Sequence, residues 1–465
     1  MAAPEPALPR GVPSVAEALA HVGTTVAASS ADVVAINLPV PVVGATELLR
    51  ALPSSDAFLF GVQGQAQSAV GSVRRLLAQG EDPMASLRAW SDTVFEEVEV
   101  VPWPGRNPVP PRVHGGTAFA TRGQAAPAEG WEGFGDGQFT LPRFTLTSDA
   151  GAALLTVVVD RHRDSLADLT DTLRRLLQHL RSPTHVLDAR SVRVTTVEQL
   201  SRSVWREYIR HVLRAIERDG FVKLVAARRA RIVGDRPFDD LAVFGRLLEA
   251  YPDCHLYLVR RGGRSFLGAT PETLFSVRGH ELHTHALAGS WVIPHGHDGA
   301  EEAEALLRST KNTHEHEVVH RQIVDALTPY TTGIVSADRT TLRLRNLLHL
   351  ETPVMATLHG DAHVIDVLHA LHPTPAVGGL PKWPAVEWIR RHEPGHRGWY
   401  AGAVGWFDAA GDATFAVAIR CALLSGNEAW VYTGAGIVAD SEPEAEYDET
   451  AVKQQPLFRA LGVGG

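Results

Sequence analysis

Lysine is nearly missing from this chain: of 44 basic residues only Lys223, Lys311, Lys382 and Lys453 are lysines. Arginine supplies the generic surface cations. A retained lysine therefore marks a position where a guanidinium cannot serve, because an ammonium can lose its proton. We apply that reading to Lys223 and Lys453 and not to Lys382, with chance survival as the alternative. Cysteine is scarcer still, and the isolated Cys254 and Cys421 support neither a disulfide framework nor a cysteine zinc site. No uncharged apolar run reaches the roughly 20 residues of a membrane span. Met1 to Pro13 lacks the basic and apolar regions of a secretory signal, so a cytoplasmic location is expected. A net charge of −9 argues against a nucleic-acid or anionic-membrane partner.

What is present is a soluble globular composition, 45% hydrophobic and 21% charged, over 465 residues. We divide the chain at 190 into an N-terminal part (1–190) and a catalytic region (191–465), expected to pack as one unit. Val33 to Leu38, Ala57 to Gly61 and Ala152 to Val159 read as strands, and Pro102 to Gly137, rich in Pro and Gly, as a long irregular connection. Helical periodicity runs over Leu166–Leu180 and over Val197–Glu217, the latter ending at Gly220. The second half alternates short apolar runs with tight turns: Cys254–Arg260, Ser265–Thr270, Leu274–Val277, Glu281–Leu287, Trp399–Phe407, Thr414–Leu424 and Ala429–Thr433. Short turns join antiparallel strands, since parallel pairs need long crossovers. The expected fold is α+β, with large antiparallel sheets and helices packed outside. One helix is expected over roughly 299–327, and another opening at Ser441 with Pro443 in its first turn and Glu444 completing a capping box.

Two motifs are set aside. His316-Glu317-Val318-Val319-His320 matches the zinc-hydrolase pattern HExxH, but 22 histidines raise the chance of accident and the usual extension is missing. Gly434-Ala435-Gly436-Ile437-Val438-Ala439 fits a dinucleotide fingerprint, yet too little chain follows to complete the βαβ unit. A glycine backbone approaching a small ligand is the better reading.

Asn312 and Glu315 share one helix face, as do Glu446 and Glu449, with Lys453 a turn beyond. Two such pairs of hard oxygen ligands suit Mg2+. Spacing alone favours two solvated helix faces.

From about Lys223 to Leu461 the sequence resembles the chorismate-utilising enzymes of menaquinone, siderophore and tryptophan pathways. The resemblance rests on Lys-Leu-Val-Ala-Ala-Arg (223–228), Phe-Leu-Gly-Ala-Thr-Pro-Glu (266–272), Leu-Ala-Gly-Ser (287–290) and Lys-Asn-Thr-His-Glu-His (311–316). It continues through His-Leu-Glu-Thr-Pro (349–353), His-Pro-Thr-Pro-Ala-Val-Gly-Gly (372–379), Ala418-Ile419-Arg420, Gly434–Val438 and Glu446-Tyr-Asp-Glu449 to Lys453. The first half agrees more loosely, at 115–119 and 141–143. The resemblance implies that Lys223 is the general base for an attacking water and Glu272 the acid protonating the departing ring hydroxyl. It implies Mg2+ on Glu315 and Glu449, with Asn312 and Glu446 helping through water. Tyr400, Arg420, the Gly434–Gly436 backbone and Lys453 would hold the carboxylates of chorismate. Gly289, Ser290 and Ala376 would bind beside them, and His349 would line the ring.

Within the family the nucleophile separates the subgroups. Enzymes using ammonia lack a lysine at position 223, and those with a nucleophilic lysine carry it where this chain has Ala288. Lys223 with Ala288 points to water, hence to isochorismate formation or, with pyruvate elimination, to salicylate. The small apolar Ala376 favours stopping at isochorismate. No amidotransferase partner is expected, and the resemblance leans towards a monomer. Three positions depart from the pattern: Asn312 where an acid is usual, Trp291-Val292 where basic residues are common, and Glu351 where a small residue is usual.

Overall fold

All eight residues of strand Val33–Val40 are buried. Val33 and Ala35 enter one apolar core, while Val34, Ile36, Leu38 and Val40 enter another. Successive strand residues point to opposite faces, so a strand without a polar face must be covered on both sides. The computed structural model describes residues 11–62, 64–78, 82–121, 130–149, 151–183, 192–294, 296–343 and 347–463, and among these the strands form sheets of thirteen and ten. One core lies between the sheets, where Tyr257, Phe266 and Tyr432 of the larger meet Phe139, Phe275 and Phe415 of the smaller. The other lies between the larger sheet and helices Val15–Ala28, Leu166–Arg181, Asp240–Ala250 and Pro443–Leu461.

Among the described residues every strand pairing is antiparallel except that of Val33–Val40 with Val98–Val101. The architecture is α+β, as expected. Strand Ala57–Val62 pairs with His255–Arg261, and Arg112–Thr117 with Ala403–Asp408, so each sheet mixes strands from before and after residue 190.

Several boundaries differ from expectation. Part of the Pro/Gly-rich connection is strand Arg112–Thr117, because it has Ala403–Asp408 and Gly137–Leu141 as partners; residues 122–129 of that segment lie outside the described residues, as does most of the Met1–Pro13 stretch. The helix expected from Val197 begins at Arg202, capped by the Ser201 hydroxyl, since Val194–Gln199 pairs instead as an edge strand. The helix expected over 299–327 is two, Ala300–Arg308 and Thr310–Leu327, broken at Ser309, whose hydroxyl caps the second. Ser441 does not cap the last helix: Pro443 occupies its first turn as expected, but the Ser441 hydroxyl accepts from the Val438 amide.

The most consequential difference is at Thr414–Leu424. This is two strands, Ala413–Val417 in the smaller sheet and Cys421–Ser425 in the larger, with the chain crossing between sheets at 418–420. A second crossing occurs at Pro271-Glu272, between Arg264–Thr270 and Thr273–Arg278. The two crossings are bonded to each other: the Val417 amide donates to the Glu272 carbonyl (3.0 Å) and the Ala269 amide to the Arg420 carbonyl (3.2 Å). Arg420 adopts φ +51°, which is rare outside glycine and persists where surroundings over-determine it.

Candidate active site

At the end of the sandwich where these crossings lie is a cavity of about 410 Å³, lined by all fifteen candidate residues. Lys223 opens strand Lys223–Gly234, and Gly434 and Gly436 lie on the adjacent Glu428–Ile437. Gly289 and Ser290 sit at an irregularity in strand Glu281–Val292, with His349 paired opposite Ser290. Helix Thr310–Leu327 contributes Asn312 and Glu315; helix Pro443–Leu461 contributes Glu446, Glu449 and Lys453. Glu272 and Arg420 come from the two crossings, and Tyr400 and Ala376 from turns.

Glycine is needed here for space. A Cβ on Gly436 would stand 2.5 Å from Lys223 Cε, and one on Gly434 would stand 2.8 Å from the Tyr400 hydroxyl. Gly289 has φ +75° and would bring a Cβ to 3.1 Å from that of Asn312, so its absence admits the helix.

Two lysines of the cavity are paired with carboxylates. Lys223 Nζ donates to Glu315 Oε1 at 2.6 Å, and Lys453 Nζ lies 2.5 Å from Glu449 Oε1 and donates to the Gly434 carbonyl at 3.2 Å. Burial pushes the Glu272 carboxyl above its ordinary range, outweighing the pull that a charged His285 and Lys223 would exert. Burial also raises Glu449, but Lys453 overcomes it and leaves that carboxyl below its usual value. Burial together with Arg420 and Lys453 lowers His349 to about 3, so this ring is neutral, and its Nδ1 lies 3.0 Å from the Ser290 hydroxyl. The wall thus offers a buried acid biased towards its protonated form, lysines, a guanidinium and backbone: groups for anion binding and for two proton transfers of opposite direction.

Among the described residues no three His, Cys, Asp or Glu side chains stand together as a ready metal cluster. Two of the carboxylates facing the cavity, Glu315 and Glu449, are paired with lysines instead. Even so, the donors are all hard oxygens, and burial beside Glu449 raises Glu446 to about 7, a repulsion that a cation would relieve. The residue types fit Mg2+. The zinc pattern finds no such support: His316 Nε2 lies against the Thr352 hydroxyl (2.8 Å) and His320 Nε2 against that of Ser336 (2.7 Å), and neither lines the cavity.

Each departure from the family pattern has a place. The Asn312 amide donates to the Ser309 hydroxyl at 2.9 Å, tying it to its own helix cap. Trp291, 37% exposed, lines the cavity. Glu351 lies outside the cavity lining and pairs with His285 (2.8 Å). Sequence reasoning gave no role to Lys311 or Tyr432, both of which line the cavity. The scarcity of lysine was a usable signal for Lys311; none marked Tyr432, which stacks on Tyr400 with ring centroids 5.4 Å apart.

The family model described as "Chorismate binding enzyme" matches residues 18–462. The salicylate biosynthesis isochorismate synthase of Pseudomonas aeruginosa is 36% identical over 369 residues, covering 77% of this chain and 76% of that protein. The isochorismate synthase MenF of Bacillus subtilis is 33% identical over 338 residues, 71% of each chain. Among solved structures, that of the menaquinone-specific isochorismate synthase MenF from Escherichia coli superposes with a TM-score of 0.77 at 24% identity, covering 96% of this chain and 99% of that one, a likeness of fold. Anthranilate synthase component I from Streptococcus pneumoniae gives 0.69 at 22% identity, covering 88% and 93%. With its sequence matched almost from end to end, this chain belongs to the chorismate-binding enzyme family.

Proposed function

We propose that the protein is a Mg2+-dependent isochorismate synthase, an isomerase that adds water at C2 of chorismate and expels the C4 hydroxyl. The observation that carries this reading is the presence, in one cavity, of a buried lysine at 223 and a buried carboxyl at 272 whose proton affinity burial raises. Lys223 takes a proton from the attacking water as the new C–O bond forms at C2. The ring double bond shifts, the C4–O bond breaks, and Glu272 delivers its proton to the departing hydroxyl. Each turn leaves the lysine protonated and the carboxyl ionised, and proton exchange with solvent restores both.

A free lysine, with a pKa of about 10.4, is a poor base at neutral pH. Glu315, the carboxylate paired with Lys223, is one of the residues that would hold the metal, so the base and the metal site share a side chain. Mg2+, held by Glu315 and Glu449 with Glu446 and Asn312 assisting, would offset the charge of the substrate carboxylate. Arg420, Lys453 and the Gly434–Gly436 backbone receive the carboxylates, while the neutral His349 lines the ring. Ala288 offers no amine for covalent attack, and Ala376 no polar group to assist pyruvate loss, which supports isochorismate over salicylate as product.

The test is incubation with chorismate, with and without Mg2+, and chromatography of the products. Isochorismate formed only with metal is the expected result. Salicylate with pyruvate would overturn the product assignment, and untouched chorismate the reading as a whole.

A further inference from the structure

We propose that His285, held in a single tautomer by Glu351, is a positioning residue for Glu272; this rests on the assignment of Glu272 as the acid. His285 lies on strand Glu281–Val292 and Glu351 on the neighbouring Leu347–Leu358, where His285 faces Pro353 and Glu351 faces Leu287, making the two side chains diagonal neighbours. His285 Nε2 accepts from the Thr273 amide at 3.2 Å. A peptide N–H can only donate, so Nε2 carries no proton and the neutral ring holds its proton on Nδ1. That nitrogen donates to Glu351 Oε1 at 2.8 Å. The carboxylate thus fixes the tautomer that the amide requires.

Thr273 is the residue directly after Glu272. The Glu272 amide donates to the Thr270 hydroxyl (3.2 Å), its carbonyl accepts from the Val417 amide (3.0 Å), and the next amide is held by His285. The Thr273 hydroxyl is itself engaged by His255 Nε2 at 2.9 Å. The peptides on both sides of Glu272 are therefore tied down, and on the C-terminal side the tie is a side chain from another strand. Protonation of His285 would replace the acceptor by a donor and break the tie. A charged His285 is also the foremost of the cations that pull the Glu272 carboxyl down, ahead of Lys223 and Lys453. His255 and Glu351 face the same ring, with His316 behind Glu351. Glu351 is the residue that looked out of place in its sequence motif; the His285 pairing gives it a task.

The test compares His285→Leu, His285→Gln, Glu351→Leu and wild type for kcat, KM and melting temperature. Loss of the tie by His285→Leu is expected to lower kcat about a hundredfold, the cost of roughly 1 Å of misplacement, with KM for chorismate unchanged. The glutamine amide oxygen reaches about as far as Nε2, so His285→Gln is expected to recover most of the rate. Glu351→Leu frees the tautomer and is expected to lower kcat in the same direction, and it carries the test if His285→Leu does not fold. Wild-type kcat in a folded His285→Leu or in Glu351→Leu overturns the assignment, as does a folded His285→Gln as slow as the leucine variant. Those results, obtained while the wild type makes isochorismate, sink only the role of His285; a wild type inactive on chorismate sinks the reading beneath it.

Discussion

Replacing Gly436 by alanine adds one methyl group beneath the proposed base. The new Cβ would lie 2.5 Å from Lys223 Cε, 2.9 Å from its Nζ and 3.2 Å from Glu315 Oε1. Carbon atoms in contact prefer about 3.5–4.0 Å, so the end of the lysine must retreat by roughly 1 Å. A shift of that size at a reacting group costs on the order of a hundredfold in rate, equivalent to about 2.7 kcal/mol. The fold itself loses little, because the atoms that must move end a flexible side chain. Gly436 also has no positive φ, so alanine restricts the unfolded chain at a gain of about 0.4–1 kcal/mol. The expected result is a kcat near one hundredth of wild type, with a melting temperature unchanged or slightly higher. Gly434→Ala is the contrast: its Cβ meets the Ala226 carbonyl oxygen at 2.9 Å, main chain that cannot swing aside, so there melting temperature falls as well. The assay is isochorismate production with saturating Mg2+, beside thermal melts by circular dichroism. A Gly436→Ala enzyme within twofold of wild-type kcat would refute the placement of Lys223 as base.

Lys223→Ala should lower kcat by about 10²–10⁴-fold, the usual contribution of one proton-transfer group, while the melt stays cooperative; retained turnover removes the assigned base. Glu272→Gln should lose activity on the same scale. In the proposed mechanism Glu272 must be protonated to act, and burial lifts its pKa above the ordinary carboxyl range, so the acid form survives above that range and is lost as pH climbs through the raised value. The pH–rate profile of kcat/KM should therefore show a falling alkaline limb, and assigning that limb to any group but Glu272 would count against the mechanism. Ala376→Thr places a hydroxyl on the cavity wall and should introduce pyruvate release, detectable with lactate dehydrogenase; isochorismate as the unchanged sole product would show that position 376 does not govern elimination.

The helical parts of the site were the most legible in sequence. Asn312 with Glu315, and Glu446 with Glu449 and Lys453, follow from helical spacing, which fixes a shared face whatever the tertiary setting. The strand parts were legible as strands and opaque as sheets. Thr414–Leu424 reads as one apolar run because nothing in the pattern marks where a chain exchanges one set of partners for another, and Arg420 owes its place to that exchange. Glu272 could be named only through the Thr-Pro-Glu resemblance, since a lone acid at a strand end has no periodicity to betray it. Glu351 was visible as an anomaly, but its partner was not: His285 lies 66 positions away and meets it only through strand pairing. The expected cap at Ser441 failed because a hydroxyl that near a turn had a backbone amide of its own to satisfy.

The paired crossings give the sandwich a mechanical property. Glu272 and Arg420 each sit on a strip of chain anchored in both sheets, and the strips are bonded to one another. Any slip or tilt of one sheet against the other is thereby transmitted to the gap between these two side chains, as the jaws of a caliper follow its beam. Substitutions deep in the inter-sheet core, at Phe266 or Phe415, neither of which lines the cavity, thus adjust the spacing of Glu272 and Arg420 as much as the packing. A site built this way is tuned by the whole core.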